Sequence, residues 1–153
     1  MAAAVDAGAT RLAGGAAASW APLDGGAFYQ PTVLADVADD NPAAAREAFG
    51  PMASLLEFHT VEEALARANA SEFGLSAQVW GNDAMAIQHL TQNIEAGAVW
   101  VNTYRAAHPT MPLGGMKTSG YGIEYGFEAV LEYTRNKSVM WDLTSERSLP
   151  YAD

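Results

Sequence analysis

The amino-acid sequence predicts an α/β fold in which helices cross over between the strands of a mostly parallel sheet. Three apolar runs, at residues 52–58, 73–80 and 98–101, have the length and composition of buried strands. Two amphipathic segments of helical length separate these runs. Strand, helix, strand, helix and strand in this order are typical of right-handed crossovers over a parallel sheet, so we expect an α/β fold.

Shorter elements are expected before this central part. They are a helix over residues 1–7 and strands over residues 10–13 and 28–34. Pro31 favours an edge position for the second of these strands, because proline has no N–H to donate to a neighbour. Asn41 and Pro42 have the residue types that cap and begin a helix, which we expect to end at Arg46 or Glu47.

Capping residues mark the starts of the two central helices. Thr60 and Glu63 form a Thr-x-x-Glu capping box, in which each side chain accepts a hydrogen bond from the other residue's backbone N–H. Asp83 is placed to cap the second helix. The apolar stripes of the two helices are Val61, Ala64, Leu65 and Ala68 in the first and Ile87, Leu90 and Ile94 in the second.

The chain changes character in its last third. Residues 104–126 are rich in glycine, and a long irregular segment of this kind is more often a site or an interface than a simple connection. A helix is expected over 124–132 and a closing strand over 137–143, followed by frayed residues. We therefore divide the chain into a main portion, residues 1–134, and a terminal portion, residues 135–153.

Composition and charge exclude several classes of function. Half of the residues are apolar and 17% are charged, which is the balance of one soluble globular domain. The net charge of −10 repels nucleic acid and anionic membranes, so neither is an expected partner. No cysteine is present, so the chain cannot itself supply a disulfide, a zinc–thiolate site or a thiol nucleophile. Asp6 and Arg11 interrupt the alanine-rich start, which also lacks a basic beginning, so we expect a cytoplasmic protein.

Two common types of site do not match this sequence. His59, His89 and His108 lack the spacing of metal ligands, so no metal site is expected. The glycine-rich run 114–122 differs from a phosphate-binding loop, because a methionine and not a glycine precedes its lysine. Its glycines are expected to serve tight turns and close approaches of the backbone.

Two carboxylates occupy positions of chemical interest. Glu47 and Glu124 each lie in or beside a glycine-containing break, where a carboxylate can face a cavity. The alternative for both is an ordinary solvated side chain, which is the commoner situation of a carboxylate. Glu62 and Glu63, in contrast, belong to an amphipathic helix and are expected on its solvated face and in its cap.

Six segments occur in the order and spacing of one enzyme family. They are residues 26–33 (GAFYQPTV), 46–51 (REAFGP), 68–77 (ANASEFGLSA), 96–102 (AGAVWVN), 111–122 (MPLGGMKTSGYG) and 132–139 (EYTRNKSV). Together they resemble the NAD(P)-dependent aldehyde dehydrogenase superfamily, and specifically the C-terminal part of its subunit. The resemblance covers roughly residues 2–142 and implies part of that family's catalytic domain, followed by its C-terminal association strand.

The resemblance implies that several residues bind a nicotinamide cofactor. Glu47 matches the glutamate whose carboxylate accepts hydrogen bonds from the hydroxyls of the nicotinamide ribose. Phe49 matches the aromatic residue beside the nicotinamide, with ordinary core packing as the alternative, and Leu75 matches an apolar residue near that ring. NAD and NADP both stay open, because the residues that distinguish them belong to an earlier part of the family's subunit.

The resemblance also implies substrate contacts and a proton relay. Residues 105–113 match the variable loop that lines the aldehyde tunnel, so His108, Met111 and Leu113 are the candidates for substrate binding. The leucine replaces a common phenylalanine and is expected to widen the tunnel. Glu124 matches a second glutamate, which is proposed to relay protons in some members. An isoleucine precedes it where the family usually has an arginine, and this departure puts the relay role in question.

The family's reaction requires groups that this chain lacks. A cysteine thiolate attacks the aldehyde, a hydride passes to the nicotinamide, and water activated by a glutamate hydrolyses the thioester. The cysteine, the general base, the oxyanion-hole asparagine and the dinucleotide-binding fold all precede the matched part of the family's subunit. We therefore expect the isolated chain to be inactive and to bind NAD or NADP weakly or not at all.

Two main interpretations stay open at this point. The first is a C-terminal fragment of an enzyme that oxidises aldehydes, and the predicted helix that already includes Met1 favours it. The second is a non-catalytic assembly module that binds itself or a full-length subunit, because the family uses the closing strand in subunit association. An unrelated small α/β binding protein is a third alternative.

Overall fold

Short helices and short strands alternate along the chain. The computed structural model describes residues 1–20, 22–23 and 25–143. The helices are α1 (Ala2–Asp6), α2 (Pro42–Ala45), α3 (Val61–Asn69), α4 (Ala84–Asn93) and α5 (Gly126–Glu132). The strands are β1 (Thr10–Ala13), β2 (Thr32–Ala35), β3 (Met52–Ser54), β4 (Phe73–Gly74), β5 (Ser76–Val79), β6 (Ala98–Val101), β7 (Leu113–Gly114), β8 (Met116–Lys117) and β9 (Ile123–Glu124). Among the described helices, none has the length and apolar composition to span a membrane.

The described strands form four small sheets. The first contains β1, β2 and β3, with β1 antiparallel to β2 and β2 parallel to β3. β5 and β6 form a parallel pair, whereas β4 with β8 and β7 with β9 form antiparallel pairs. The described residues thus combine helices with both parallel and antiparallel strands.

This pairing differs from the predicted single sheet of mostly parallel strands. Helix α4 connects the parallel neighbours β5 and β6, as expected, but β3 pairs with β2, so α3 does not connect neighbouring strands. The connection from β7 to β9 contains β8 and is too short for a helical crossover, so β7 and β9 pair antiparallel. Composition indicated the positions of β5 and β6, but it missed β7, β8 and β9, which lie in the segment predicted to be irregular, and it could not indicate which strands would pair.

Each predicted capping side chain accepts a hydrogen bond from the first turn of its helix, and in the capping box the Glu63 carboxylate accepts from the N–H of His59. Thr60 Oγ1 accepts a hydrogen bond from the N–H of Glu63 at 3.1 Å. The Asp83 carboxylate accepts two from the first turn of α4, at 2.9 and 3.1 Å. Asn41 Oδ1 accepts one from the N–H of Ala43 at 3.0 Å, which fixes the start of α2. Because a cap depends on residues within one turn, it can be predicted from local sequence.

A small core connects α1, α2 and the first sheet. Its buried apolar residues are Ala4, Ala9, Leu34 and Val37. Asn41 is only 2% exposed, and its side-chain amide donates to the carbonyls of Ala4 and Ala7 at 3.0 and 3.3 Å. A buried polar side chain with its hydrogen bonds made fixes the position of α1 relative to α2.

The chain exposes more surface than a compact monomer of its mass. Its accessible surface is 12114 Å² for 16.2 kDa, whereas a compact monomer of this mass exposes about 7,500 Å². Large apolar side chains contribute to the excess, including Phe127 and Tyr133 on and after α5, at 71% and 90% exposure. Apolar surface of this extent favours contact with further protein.

The predicted closing strand over residues 137–143 is absent from the structure. Residues 134–143 form neither helix nor strand, and Met140 and Trp141 are 97% and 83% exposed. A strand needs a neighbour to pair with its backbone groups, and no described strand of this chain occupies that position. The predicted frayed residues 145–153 lie outside the described residues, and the division at residue 134 stays a prediction.

Candidate functional site

Glu47 and Leu75, which are distant in sequence, line the same open cleft. The cleft has a volume of about 440 Å³, and we call it the Glu47 cleft. Its other lining residues are Ala44, Arg46, Phe73, Thr118 and Ser119. The walls therefore come from the end of α2, from β4 and the residue after it, and from the segment that follows β8.

The end of α2 places Glu47 on this cleft. The helix ends at Ala45, and Arg46 has an extended backbone with φ −126° and ψ 147°, so the chain leaves the helix axis there. The Glu47 side chain is exposed and forms no hydrogen bond or ion pair with the residues that the structure describes. Both carboxylate oxygens are therefore free to accept hydrogen bonds from a ligand.

Leu75 supplies an apolar side of the cleft. It lies between β4 and β5, where it interrupts the strand predicted over residues 73–80, and it is 53% exposed. The preceding Gly74 is buried and pairs with Met116 of β8. The pairing of β4 with β8 thus brings Leu75 next to the segment that follows β8.

Thr118 and Ser119 form a wall of the cleft that we call the hydroxyl wall. Thr118 donates from its N–H and from Oγ1 to the carbonyl of Glu72, at 3.1 and 2.6 Å. Ser119 Oγ accepts a hydrogen bond from the N–H of Gly74 at 3.0 Å, so the Ser119 hydroxyl keeps its own proton for donation. Sequence reasoning missed both residues. The available signal was the pair of adjacent hydroxyl residues within the glycine-rich run 114–122.

Phe49 does not line the Glu47 cleft. Its ring is 98% exposed, although Glu47 is only two residues away. The ring therefore does not pack into a core of the described residues. Because an apolar ring in water is unfavourable, this exposure favours a cover formed by a ligand or by further protein.

Two hydrogen bonds shape the loop that carries two of the substrate candidates. Trp100 Nε1 donates to the carbonyl of Ala106 at 2.7 Å, and His108 Nδ1 lies 2.8 Å from Thr110 Oγ1. His108 and Met111 are both exposed, and neither lines the Glu47 cleft. The structure therefore places these two candidates on one surface loop, apart from the residues that line the cleft.

Leu113 and Glu124 lie opposite each other in the pair formed by β7 and β9. Opposed residues of antiparallel strands project to the same side, so an apolar side chain and a carboxylate share one face here. Leu113 is half-buried, whereas Glu124 is exposed and forms no ion pair with the described residues. The structure thus brings one substrate candidate and the relay candidate together.

A larger groove lies between α2, β3 and α3. It has a volume of about 820 Å³ and is lined mainly by alanines of the two helices, with Leu56 and Phe58. None of the site residues predicted from the sequence lines this groove. Within the described ranges, no group of three or more histidine, aspartate or glutamate side chains is placed to hold a metal ion.

Contacts of α3 perturb two pKa values. The Glu63 carboxylate accepts a hydrogen bond from the N–H of His59 at 2.8 Å, and this bond is the main reason why the pKa of Glu63 is lowered. Arg67 donates to the Asp39 carboxylate at 2.8 Å, which is the main reason why the pKa of Arg67 is raised. Neither residue lines the Glu47 cleft, so both shifts concern the stability of α3.

The chain belongs to a known family of dehydrogenases. The profile of the Aldehyde dehydrogenase family matches residues 1–139, so the chain belongs to that family. The resemblance of the six sequence segments is therefore confirmed.

Individual relatives share this portion of the chain at high similarity. The betaine aldehyde dehydrogenase of Cereibacter sphaeroides (strain KD131 / KCTC 12085) is 45% identical over 129 residues, which are 84% of this chain and 26% of the relative. An NAD+ complex of aldehyde dehydrogenase from Bacillus cereus has a TM-score of 0.85 at 38% identity, covering 94% of this chain and 28% of that one. A mutant betaine aldehyde dehydrogenase of Staphylococcus aureus, also in complex with NAD+, has a TM-score of 0.91 at 30% identity, with 99% and 30% covered. This chain thus spans less than a third of the length of these relatives.

Proposed function

We propose that this chain is the C-terminal part of an enzyme that oxidises an aldehyde to a carboxylic acid with NAD or NADP. The family match over residues 1–139, which covers only a small share of each relative, carries this proposal. The chain contains no cysteine, so the thiolate nucleophile of such a reaction has to come from residues outside these 153. On its own, the chain is therefore expected to be inactive.

The Glu47 cleft fits the ribose next to the nicotinamide. A carboxylate with both oxygens free suits two ribose hydroxyls, because each hydroxyl can donate one hydrogen bond to it. Leu75 adds an apolar side to the cleft, and the exposed ring of Phe49 is available to cover the nicotinamide. One such set of contacts is too small to hold a whole dinucleotide firmly, so binding by the chain alone is expected to be weak.

The chain's own residues would orient the cofactor and relay a proton. When bound, NAD or NADP supplies the hydride acceptor. Glu47 fixes the ribose, while Leu75 and Phe49 exclude water from the nicotinamide. Glu124 holds a proton on its carboxylate between the general base and solvent. An exposed carboxylate suits this role, because water can reach it.

The aldehyde would contact the loop before β7 and the start of that strand. His108 and Met111 provide exposed side chains on this loop, and Leu113 provides an apolar side chain beside Glu124. Substrate and relay would then meet at the face that Leu113 and Glu124 share. The enzyme would act in the cytoplasm.

A hybrid enzyme tests this proposal directly. This chain replaces the matched segment in the Cereibacter sphaeroides betaine aldehyde dehydrogenase, and formation of NADH is followed with betaine aldehyde. We expect the hybrid to turn over, and the purified chain alone to form no NADH. Saturable turnover by the cysteine-free chain would refute its expected inactivity.

Glu47→Gln in the hybrid tests the cofactor contact. Loss of a charged acceptor should raise KM for NAD by about tenfold, because hydrogen bonds to charged groups are the stronger ones. Glu62→Gln is the matched control, since Glu62 is exposed on α3 and does not line the Glu47 cleft. Equal KM values for the two variants would contradict the assignment of Glu47.

Association is the second function that a specific observation favours. Residues 135–143 carry the exposed side chains of Val139, Met140, Trp141 and Leu143, at 72% to 97% exposure. We propose that this segment pairs with a second copy of the chain or with a full-length subunit, because an unpaired apolar segment can complete a neighbour's sheet. Sedimentation of the chain, with truncation after Thr134 as the comparison, tests this. A monomer in both forms would contradict it.

A further inference from the structure

Lys117 lies where three segments of the chain meet. Its Nζ donates to the carbonyls of Asn69 and Ser71, at 2.7 and 3.0 Å, and forms an ion pair with Glu95 Oε2 at 2.7 Å. The Lys117 side chain is 24% exposed, so most of it is withdrawn from solvent. All three N–H groups of the ammonium thus have an oxygen atom of the protein as partner, whereas the ammonium of a solvated lysine donates to water.

The backbone at Lys117 is held in an unfavourable conformation. Its φ is +54°, in the left-handed region that residues other than glycine rarely adopt. Such a conformation persists only when surrounding contacts hold it. The three contacts of the ammonium are well placed to do so, because they attach β8 to the end of α3 and to Glu95, which lies just beyond the C-cap of α4.

The contacts of Lys117 adjoin the hydroxyl wall. Thr118 and Ser119 follow Lys117, and both are bonded to the segment 69–74 that Lys117 also holds. Asn69 extends this arrangement, because its side chain accepts from the N–H of Glu95 at 2.9 Å and donates to the carbonyl of Asn93 at 2.8 Å. The hydroxyl wall and Leu75 are therefore anchored to one network centred on Lys117.

We propose that Lys117 is a positioning residue that fixes the hydroxyl wall opposite Glu47 and so sets the affinity of the Glu47 cleft for NAD or NADP. This inference rests on the proposed function of the cleft. An isolated surface ion pair contributes little, but here one ammonium also satisfies two carbonyls and holds a left-handed residue. Removing it releases at once the three attachments of Lys117, the residue that precedes the wall.

Lys117→Met in the hybrid enzyme is the main test. We expect KM for NAD to rise about tenfold, with kcat and the KM for aldehyde changed less than about twofold, because only binding in one cleft is affected. Lys117→Arg keeps the charge and several donors and should retain most of the affinity. Arg11→Met removes a charge outside the Glu47 cleft and should leave all three constants unchanged. An unchanged KM for NAD in Lys117→Met overturns the proposal.

Two further measurements keep the test decisive. If Lys117→Met fails to fold in the hybrid, Glu95→Gln replaces it, because this variant removes the ion pair and keeps both carbonyl contacts. The KM for NAD of Glu95→Gln should rise about threefold. No rise overturns the proposal. If the unsubstituted hybrid is inactive, the proposed function fails. The positioning role is then tested in the chain itself by hydrogen exchange at the amides of Thr118 and Gly74. Faster exchange in Lys117→Met than in Arg11→Met supports it, and equal exchange overturns it.

Discussion

Gly97 is the position where a single added methyl group should disturb the fold most. It precedes β6, and its N–H donates to the carbonyl of Gly74 at 3.0 Å. A Cβ at this position would overlap the carbonyl oxygen of Gly114 and lie 2.7 Å from its carbonyl carbon. Both obstacles are backbone atoms, so no side-chain rotation can relieve the overlap. Gly97→Ala must therefore separate β6 from β7.

The expected loss of stability follows from the overlap of the added methyl group with closely packed backbone atoms. We expect Gly97→Ala to lower the free energy of unfolding by about 2–3 kcal/mol, at the upper end for a small-to-large change. For a chain of this length, that corresponds to a fall in Tm of roughly 5–10 °C. Thermal unfolding followed by circular dichroism measures it. The shift of Gly114 should also displace its neighbour Leu113.

Gly122→Ala is the matched control for this experiment. Gly122 lies in the same glycine-rich run as Gly114, but nothing stands within 4 Å of a Cβ added there, and its φ lies outside the left-handed range. Its replacement should leave the stability within about 0.5 kcal/mol or raise it slightly, because alanine restricts the unfolded chain. If both variants melt at the wild-type temperature, the inferred contact between Gly97 and Gly114 is wrong.

Three further predictions concern the core, a helix start and the substrate side. Asn41→Ala should destabilise the chain by about 2 kcal/mol in urea unfolding, because it removes a cap and the two hydrogen bonds that the side-chain amide donates; an effect below about 0.5 kcal/mol would contradict that role. The lowered pKa of Glu63 means that its carboxylate stabilises the fold above pH 4.5, its ordinary pKa, and that this contribution is lost as the pH falls through the lower folded value. The difference in stability between wild type and Glu63→Gln should therefore shrink on acidification below pH 4.5, and a difference independent of pH would refute the effect. Leu113→Phe in the hybrid should raise KM for bulky aldehydes more than for small ones, because the larger ring would narrow the proposed aldehyde tunnel; equal changes for both would place Leu113 away from the substrate.

The features that the sequence predicted well depend on neighbouring residues. Thr60, Asp83 and Asn41 cap helices because each side chain reaches backbone only two or three residues ahead. The placement of Glu47 and Leu75 was suggested by a family resemblance. Their shared cleft requires α2 to end and β4 to pair with β8, and neither local composition nor periodicity specifies these two events together.

The features that the sequence did not reveal depend on distant contacts between small or polar groups. Lys117 bonds to carbonyls 46 and 48 positions away, and Ser119 accepts from an amide 45 positions away. The partners are backbone carbonyl oxygens and a backbone N–H, groups that nearly every residue has, so no residue type marks them. The same reasoning applies to Gly97, whose requirement for glycine arises from the Gly114 carbonyl and not from its own turn.

The absence of the predicted closing strand also shows that local sequence does not specify distant contacts. Residues 137–143 have a strand-like composition, with Val139 and Trp141 alternating with other residue types, but composition supplies only one half of a pair. Without a neighbouring strand, contact with water gives this segment no preference for an extended ladder over other exposed conformations. A strand there requires backbone from another chain or from further parts of the same protein. The high exposure of Met140 and Trp141 is therefore what the proposed association predicts for this chain when it is isolated.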